Sequence, residues 1–220
     1  MLTLCWAAKG GSGTTVVAAA LALNHPPPTL LVDLDGDQPL ALGVAHPVTP
    51  GVADWLATDA PAARLGGLEV AVGDTARLLP RGSHAAPADA PRWHDLARFL
   101  AEQPRHVVVD AGTRPPPAPL AALAAQRLLV VRNCYLNLRA ATASAAAVAP
   151  TGVVLVEEPG RRLGADDIEA ALAVPVVAVL LLDPAVARAA DAGLLMSRLP
   201  SGLRRPLAPL GSHVPLGAAA

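Results

Sequence analysis

A chain of 220 residues with 53% hydrophobic and 16% charged side chains holds ample apolar material for one α/β domain and is not disordered by composition. A formal net charge of −1 predicts no bulk attraction to nucleic acid or to an anionic bilayer, although a local basic patch is compatible with it. Two cysteines exclude a disulfide framework, and no stretch supplies the ~20 unbroken apolar residues of a membrane span.

Residues Leu2–Ala7 form an apolar run that ends in glycines, which reads as a buried strand. The run is too short, and lacks the basic flank, for a secretory signal. Thr14–Leu23 reads as an apolar helix that stops before Pro26-Pro27-Pro28, and Leu30–Leu34 as a second buried strand. Gly51–Ala57 is a short helix; Leu68–Val72 and Ala76–Leu79 are candidate strands. Pro91–Gln103 has helical spacing, with Trp93, Leu96, Phe99 and Leu100 on one face. His106–Asp110 is a strand that ends in a carboxylate. Then follow a strand at Leu128–Arg132, an Ala-rich helix at Leu136–Val148 and a strand at Gly152–Val156. A helix at Ala165–Leu172, a strand at Val176–Leu181 and a helix at Pro184–Leu195 complete the series. The Pro-rich segments 26–28 and 115–119 read as rigid loops. Residues 1–205 read as one domain and 206–220 as a flexible tail. Continuous apolar strands alternating with helices predict a doubly wound three-layer sandwich, with a mainly parallel sheet covered on both faces.

Lys9 is the one lysine among 17 basic residues. In a chain so biased toward arginine, a lysine kept inside a glycine-rich loop draws attention to that loop, Ala8 to Thr15. Glycines between a strand and a helix let backbone N–H groups curl around phosphate oxygens, and the helix adds its N-terminal dipole. Against the pattern G-x-x-x-x-G-K-[ST], Ala8 stands for the first Gly and Gly13 matches the second. Thr14 takes the Lys position, and Thr15 matches the Mg²⁺-binding hydroxyl. A glycine turn with no ligand is the plain alternative. Asp33 and Asp35, at i and i+2 after an apolar run, leave the strand toward one end of the sheet; they could equally solvate a strand end. Asp110 closes the strand His106–Asp110 just before Gly112, the form of a Walker B carboxylate.

Six of the seven positions Lys9 to Thr15 agree with K-G-G-x-G-K-T, so the loop resembles the deviant Walker A loop of the ParA/MinD-like P-loop ATPases. The D-x-D of Asp33 and Asp35 resembles that family's switch I, and His106–Gly112 its Walker B strand and switch II. The segments from Pro150 to Gly193 loosely resemble the branch with CpaE/TadZ-like and septum-site-determining proteins. The resemblance implies a homodimer in which Lys9 reaches the partner's phosphates. It implies nucleotide binding by Lys9, Gly10, Gly11, Ser12, Gly13, Thr14 and Thr15. It also implies Mg²⁺ held by Thr15 and Asp110 with Asp33 nearby, and water oriented by Asp35. ATP or ADP with Mg²⁺, a protein partner and the bacterial cytoplasm follow on the same ground.

The chain departs from the family at two places. Thr14 replaces the lysine that holds the β- and γ-phosphates, and Val156-Glu157-Glu158 stands where an adenine-reading Asn is usual. The expectation is a positioning or scaffold factor with weak or no hydrolysis. An active ATPase that partitions DNA or protein cargo is the alternative, and a metabolic P-loop enzyme has no substrate motif to support it. Arg161, Arg162, Arg188, Arg198, Arg204 and Arg205 could serve nonspecific DNA, but ordinary solvated faces fit them better. The six histidines lack metal-ligand spacing, the cysteines read as small buried hydrophobes, and the C-terminal residues form no membrane-targeting amphipathic helix.

Overall fold

The computed structural model describes residues 1–44 and 50–211. His46, His213 and the end of the expected tail, 212–220, lie outside them. The strands are β1 (Leu2–Trp6), β2 (Thr29–Asp33), β3 (Val70–Val72), β4 (Ala76–Leu79), β5 (His106–Asp110), β6 (Gln126–Arg132), β7 (Gly152–Glu157) and β8 (Val176–Leu181). They form one sheet in the order β3-β4-β2-β5-β1-β6-β7-β8. Among the described residues only the β3–β4 pair is antiparallel. Strands β1, β2 and β5 are buried at every position, as their unbroken Leu and Val runs require under two layers of helix.

The helices are α1 (Thr14–Asn24), α2 (Gln38–Leu42), α3 (Val52–Leu56), α4 (Trp93–Ala101), α5 (Ala118–Leu123), α6 (Tyr135–Val148), α7 (Ala165–Leu172), α8 (Pro184–Asp191) and α9 (Ser201–Gly211). On one face of the sheet, α1 lies between the strands and α9, so residues Val17 to Ala22 are all buried. On the same face, near the sheet's edge, α2 packs on α8. Gly43 and Gly193 there approach so closely that a Cβ on Gly43 would collide with the Gly193 carbonyl. On the other face, α4 buries Trp93, Leu96, Ala97 and Leu100. Phe99, expected on that stripe, is only half-buried.

Several segments differ from expectation. The strand expected at Leu68–Val72 shortens to Val70–Val72, because a 3-10 turn occupies Ala62–Leu68. The segment expected as a rigid loop at 115–119 instead runs into α5, whose first turn accepts Pro119 because prolines lack only an N–H that is unpaired there. Helix α9 continues past residue 205 to Gly211, despite Pro206 and Pro209, because Leu203, Leu207 and Leu210 all pack into the core beneath it. Their i, i+4, i+7 spacing makes one apolar stripe. Leu207→Ala is therefore expected to lower stability by about 2–5 kcal/mol, read as a shift in urea midpoint.

Candidate functional site

Strand β1 runs between β5 and β6, and the loop that follows it opens at the C-terminal edge of the sheet. Neighbouring chain connections diverge there, which is where open α/β sheets bind ligands. Gly11 (φ 75°) and Gly13 (φ 93°) adopt left-handed backbone that side chains disfavour, which curls the loop. Helix α1 starts at Thr14 with no side-chain cap at Gly13 and no acid in its first turn. Its leading N–H groups are thus left for an anion rather than closed by the protein. The loop is braced from beneath. Ser12 Oγ donates to the Lys9 carbonyl at 2.7 Å, and Asn137 Nδ2 on α6 donates to Ser12 Oγ at 2.7 Å.

The residues expected to bind nucleotide converge here. Lys9, Gly10 and Gly11 are exposed, Ser12 and Thr14 are buried, and Gly13 and Thr15 are half-buried. A cleft of about 610 Å³ runs from Gly10 to Val16 and is walled by Asp35, Asp37, Gly112, Thr113, Leu40 and Asp191. No lysine or arginine lines it.

The carboxylates come together because β2 and β5 are neighbours, with Asp33 directly opposite Asp110 in the register. Both are fully buried. Asp33 accepts from the backbone N–H groups of Asp35 (3.0 Å), Gly36 (2.6 Å) and Gln38 (3.3 Å). Burial nevertheless pushes it up to about 7, and the neighbouring Asp110 adds to the rise. Asp110 accepts from Gly112 N–H at 3.0 Å and from Gln38 Nε2 at 2.8 Å, yet burial raises it to about 6. Two adjacent buried acids with raised affinities for protons form a site in which a cation would be welcome. Asp35 is half-buried, and its carboxylate lies over Gly112, where any Cβ would collide with it. The Arg81 guanidinium donates to the Asp35 carbonyl and packs on Gly36, which fixes the turn after β2.

Sequence reasoning missed Gln38, Asn137, Arg81 and Asp191. None sits in a motif; each reaches the site through strand order or helix packing. Beside the loop, an apolar recess of about 150 Å³ lies between Val16, Val156, Leu180, Leu182 and Val186. Cys5 is buried under the site, with its thiol held protonated by burial, and Cys134 is half-buried. Among the described residues no group of three or more His, Cys, Asp or Glu is suited to hold a metal, and no helix is long and apolar enough to cross a membrane.

No family model and no curated protein matches the sequence. The ParA family ATPase of Chlorobium tepidum superposes with a TM-score of 0.73 at 19% identity, over 97% of this chain and 99% of that one. The septum site-determining protein MinD of Pyrococcus horikoshii, solved with Mg-ADP, gives 0.73 at 19% identity over 96% and 95%. The MinC:MinD complex of Aquifex aeolicus gives 0.74 at 17% identity over 98% of each chain. At such identities the likeness is one of fold: the chain has the doubly wound P-loop α/β fold of the ParA and MinD ATPases.

Proposed function

We propose that this chain is a nucleotide-responsive homodimer of the deviant Walker A type. It positions or scaffolds a protein partner at a septum, a pole or a pilus or secretion machine, with weak or no ATP hydrolysis. The charge of the cleft carries this reading. Among the described residues three carboxylates and no basic side chain line it, while Lys9, next in sequence to the lining residue Gly10, is exposed. A triphosphate would meet repulsion there unless cations come from elsewhere. A second copy's Lys9 is one source, as the resemblance to ParA/MinD loops suggests, and Mg²⁺ is the other. The CpaE/TadZ-like likeness of the later chain supports the positioning role.

The residues suit Mg²⁺. It is a hard cation that takes oxygen ligands and keeps much of its water, so one or two carboxylates and a hydroxyl suffice. Thr15 would supply the hydroxyl and Asp110 would hold a water, with Asp33 behind it. When bound, Mg²⁺ supplies charge neutralisation between the terminal phosphates. The N–H groups of Gly10 to Thr15 would cradle the phosphates, and Asp35 would orient a water at the cleft wall. The apolar recess would take the base, without an Asn to select adenine.

The test is self-association. With ATP and Mg²⁺ the full chain is expected to sediment as a dimer, and Lys9→Ala to remain a monomer under the same conditions. A monomer in every nucleotide state would sink the reading. The second reading, an active ATPase that partitions DNA or protein cargo, is favoured by the Asp35 carboxylate held over Gly112 beside Asp110. Phosphate release that Asp35→Ala leaves unchanged would exclude it.

A further inference from the structure

Gln38 is buried behind Thr15 of the cleft lining, between the groups that the reading above assigns to Mg²⁺. It opens α2, and its backbone N–H donates to Asp33 Oδ2. Its side-chain Nε2 donates both to Asp110 Oδ2 at 2.8 Å and to the Thr15 carbonyl at 3.0 Å. The residue is 0% exposed, and its Oε1 is a buried acceptor with no partner. One neutral residue thus touches all three residues of the proposed cation site, Asp33 through its backbone N–H and the other two through its side-chain amide.

The hydrogen bonds of Asp110 are divided in a telling way. Oδ1 accepts from Gly112 N–H inside the loop after β5. Oδ2 accepts from the Gln38 amide, and the Thr15 side chain also hydrogen-bonds this carboxylate, so a cation drawing on Asp110 has to compete with the amide. An amide N–H bonded to a buried carboxylate presents a partial positive charge, and such charge-assisted bonds are stronger than neutral ones. We infer that Gln38 is a positioning residue that competes with Mg²⁺ for Asp110, so that its amide sets how strongly nucleotide binding depends on the cation. When the amide gives way, its unpartnered Oε1 offers an acceptor to water on that cation. The inference rests on the nucleotide reading.

The experiment measures the ADP dissociation constant of the full chain by calorimetry, in Mg²⁺ and in EDTA. Wild type, Gln38→Ala and Gln38→Met are compared; Met keeps the volume of Gln without its donor. Thermal melts establish that each is folded. The ratio of the EDTA constant to the Mg²⁺ constant is expected to be about tenfold larger in the variants, because the cation no longer displaces a charge-assisted bond. An equal or smaller ratio in folded Gln38→Met overturns the inference and leaves the nucleotide reading standing, since a merely structural link would lower stability and not move the ratio. Failure of wild type to take ADP in either condition overturns both.

Discussion

Thr14→Lys is expected to tighten ATP binding by about 10- to 100-fold, and to raise any phosphate release by more than that. The first figure follows from one added charge-assisted hydrogen bond to phosphate, worth about 1.5–3 kcal/mol. The larger effect on turnover follows because a cation at this point acts where negative charge shifts during phosphoryl transfer. The site magnifies the change. Thr14 is the first residue of α1, in a cleft whose walls carry, among the described residues, Asp35, Asp37 and Asp191 and no basic group. A lysine there would be the first positive charge within it. Although Thr14 itself is 6% exposed, the cleft beside it gives a longer side chain room to extend. Calorimetry with Mg-ATP and a phosphate-release assay read both effects. Wild type that already binds as tightly as the variant would show that Lys9, or another group, supplies the missing charge within one chain.

The fold was legible because it is written in runs of one kind. Five- to seven-residue Leu/Val stretches separated by helical segments can be read without knowing what pairs with what, and β1, β2, β5 and β6 all lie where those runs fall. Asp33 and Asp110 were legible for a related reason: each ends such a run. What brings them together, the placement of β2 beside β5, is a long-range fact, and so is everything that depends on it. Gln38 reaches Asp110 across 72 residues, and Asn137 reaches Ser12 across 125. Neither belongs to a local period, so no window of sequence could single it out. Helix α2 escaped because five residues beginning Gln-Pro carry too little periodicity to register. Helix α9 escaped because its two prolines outweigh, on local propensity, a stripe of three leucines that only the α1 surface makes decisive.

The pair of buried acids should leave its mark on stability even in the absence of nucleotide. Asp33 is raised to about 7 and Asp110 to about 6, both chiefly by burial, whereas the unfolded chain titrates both near 3.8. The folded state therefore holds more protons than the unfolded state between about pH 4 and pH 7, so stability falls as pH rises. The contribution is fully present below the unfolded values and is lost as pH climbs through the folded ones. Across the pair the loss by pH 8 is on the order of several kcal/mol, from about 1.4 kcal/mol for each tenfold change in proton affinity. His25, which burial holds below its usual range, acts with the opposite sign. The diagnostic is consequently a difference. Asp33→Asn keeps an oxygen to accept from the N–H groups of Asp35 and Gly36 but carries no charge at any pH. It should match wild type at about pH 3.5 and exceed its urea midpoint clearly at about pH 8, with a flatter pH profile between. A wild-type profile that rises from pH 5 to pH 8, with Asp33→Asn running parallel to it, would mean that the two carboxylates are ionised and well compensated in the folded chain. The buried pair would then have no unmet charge with which to attract a cation.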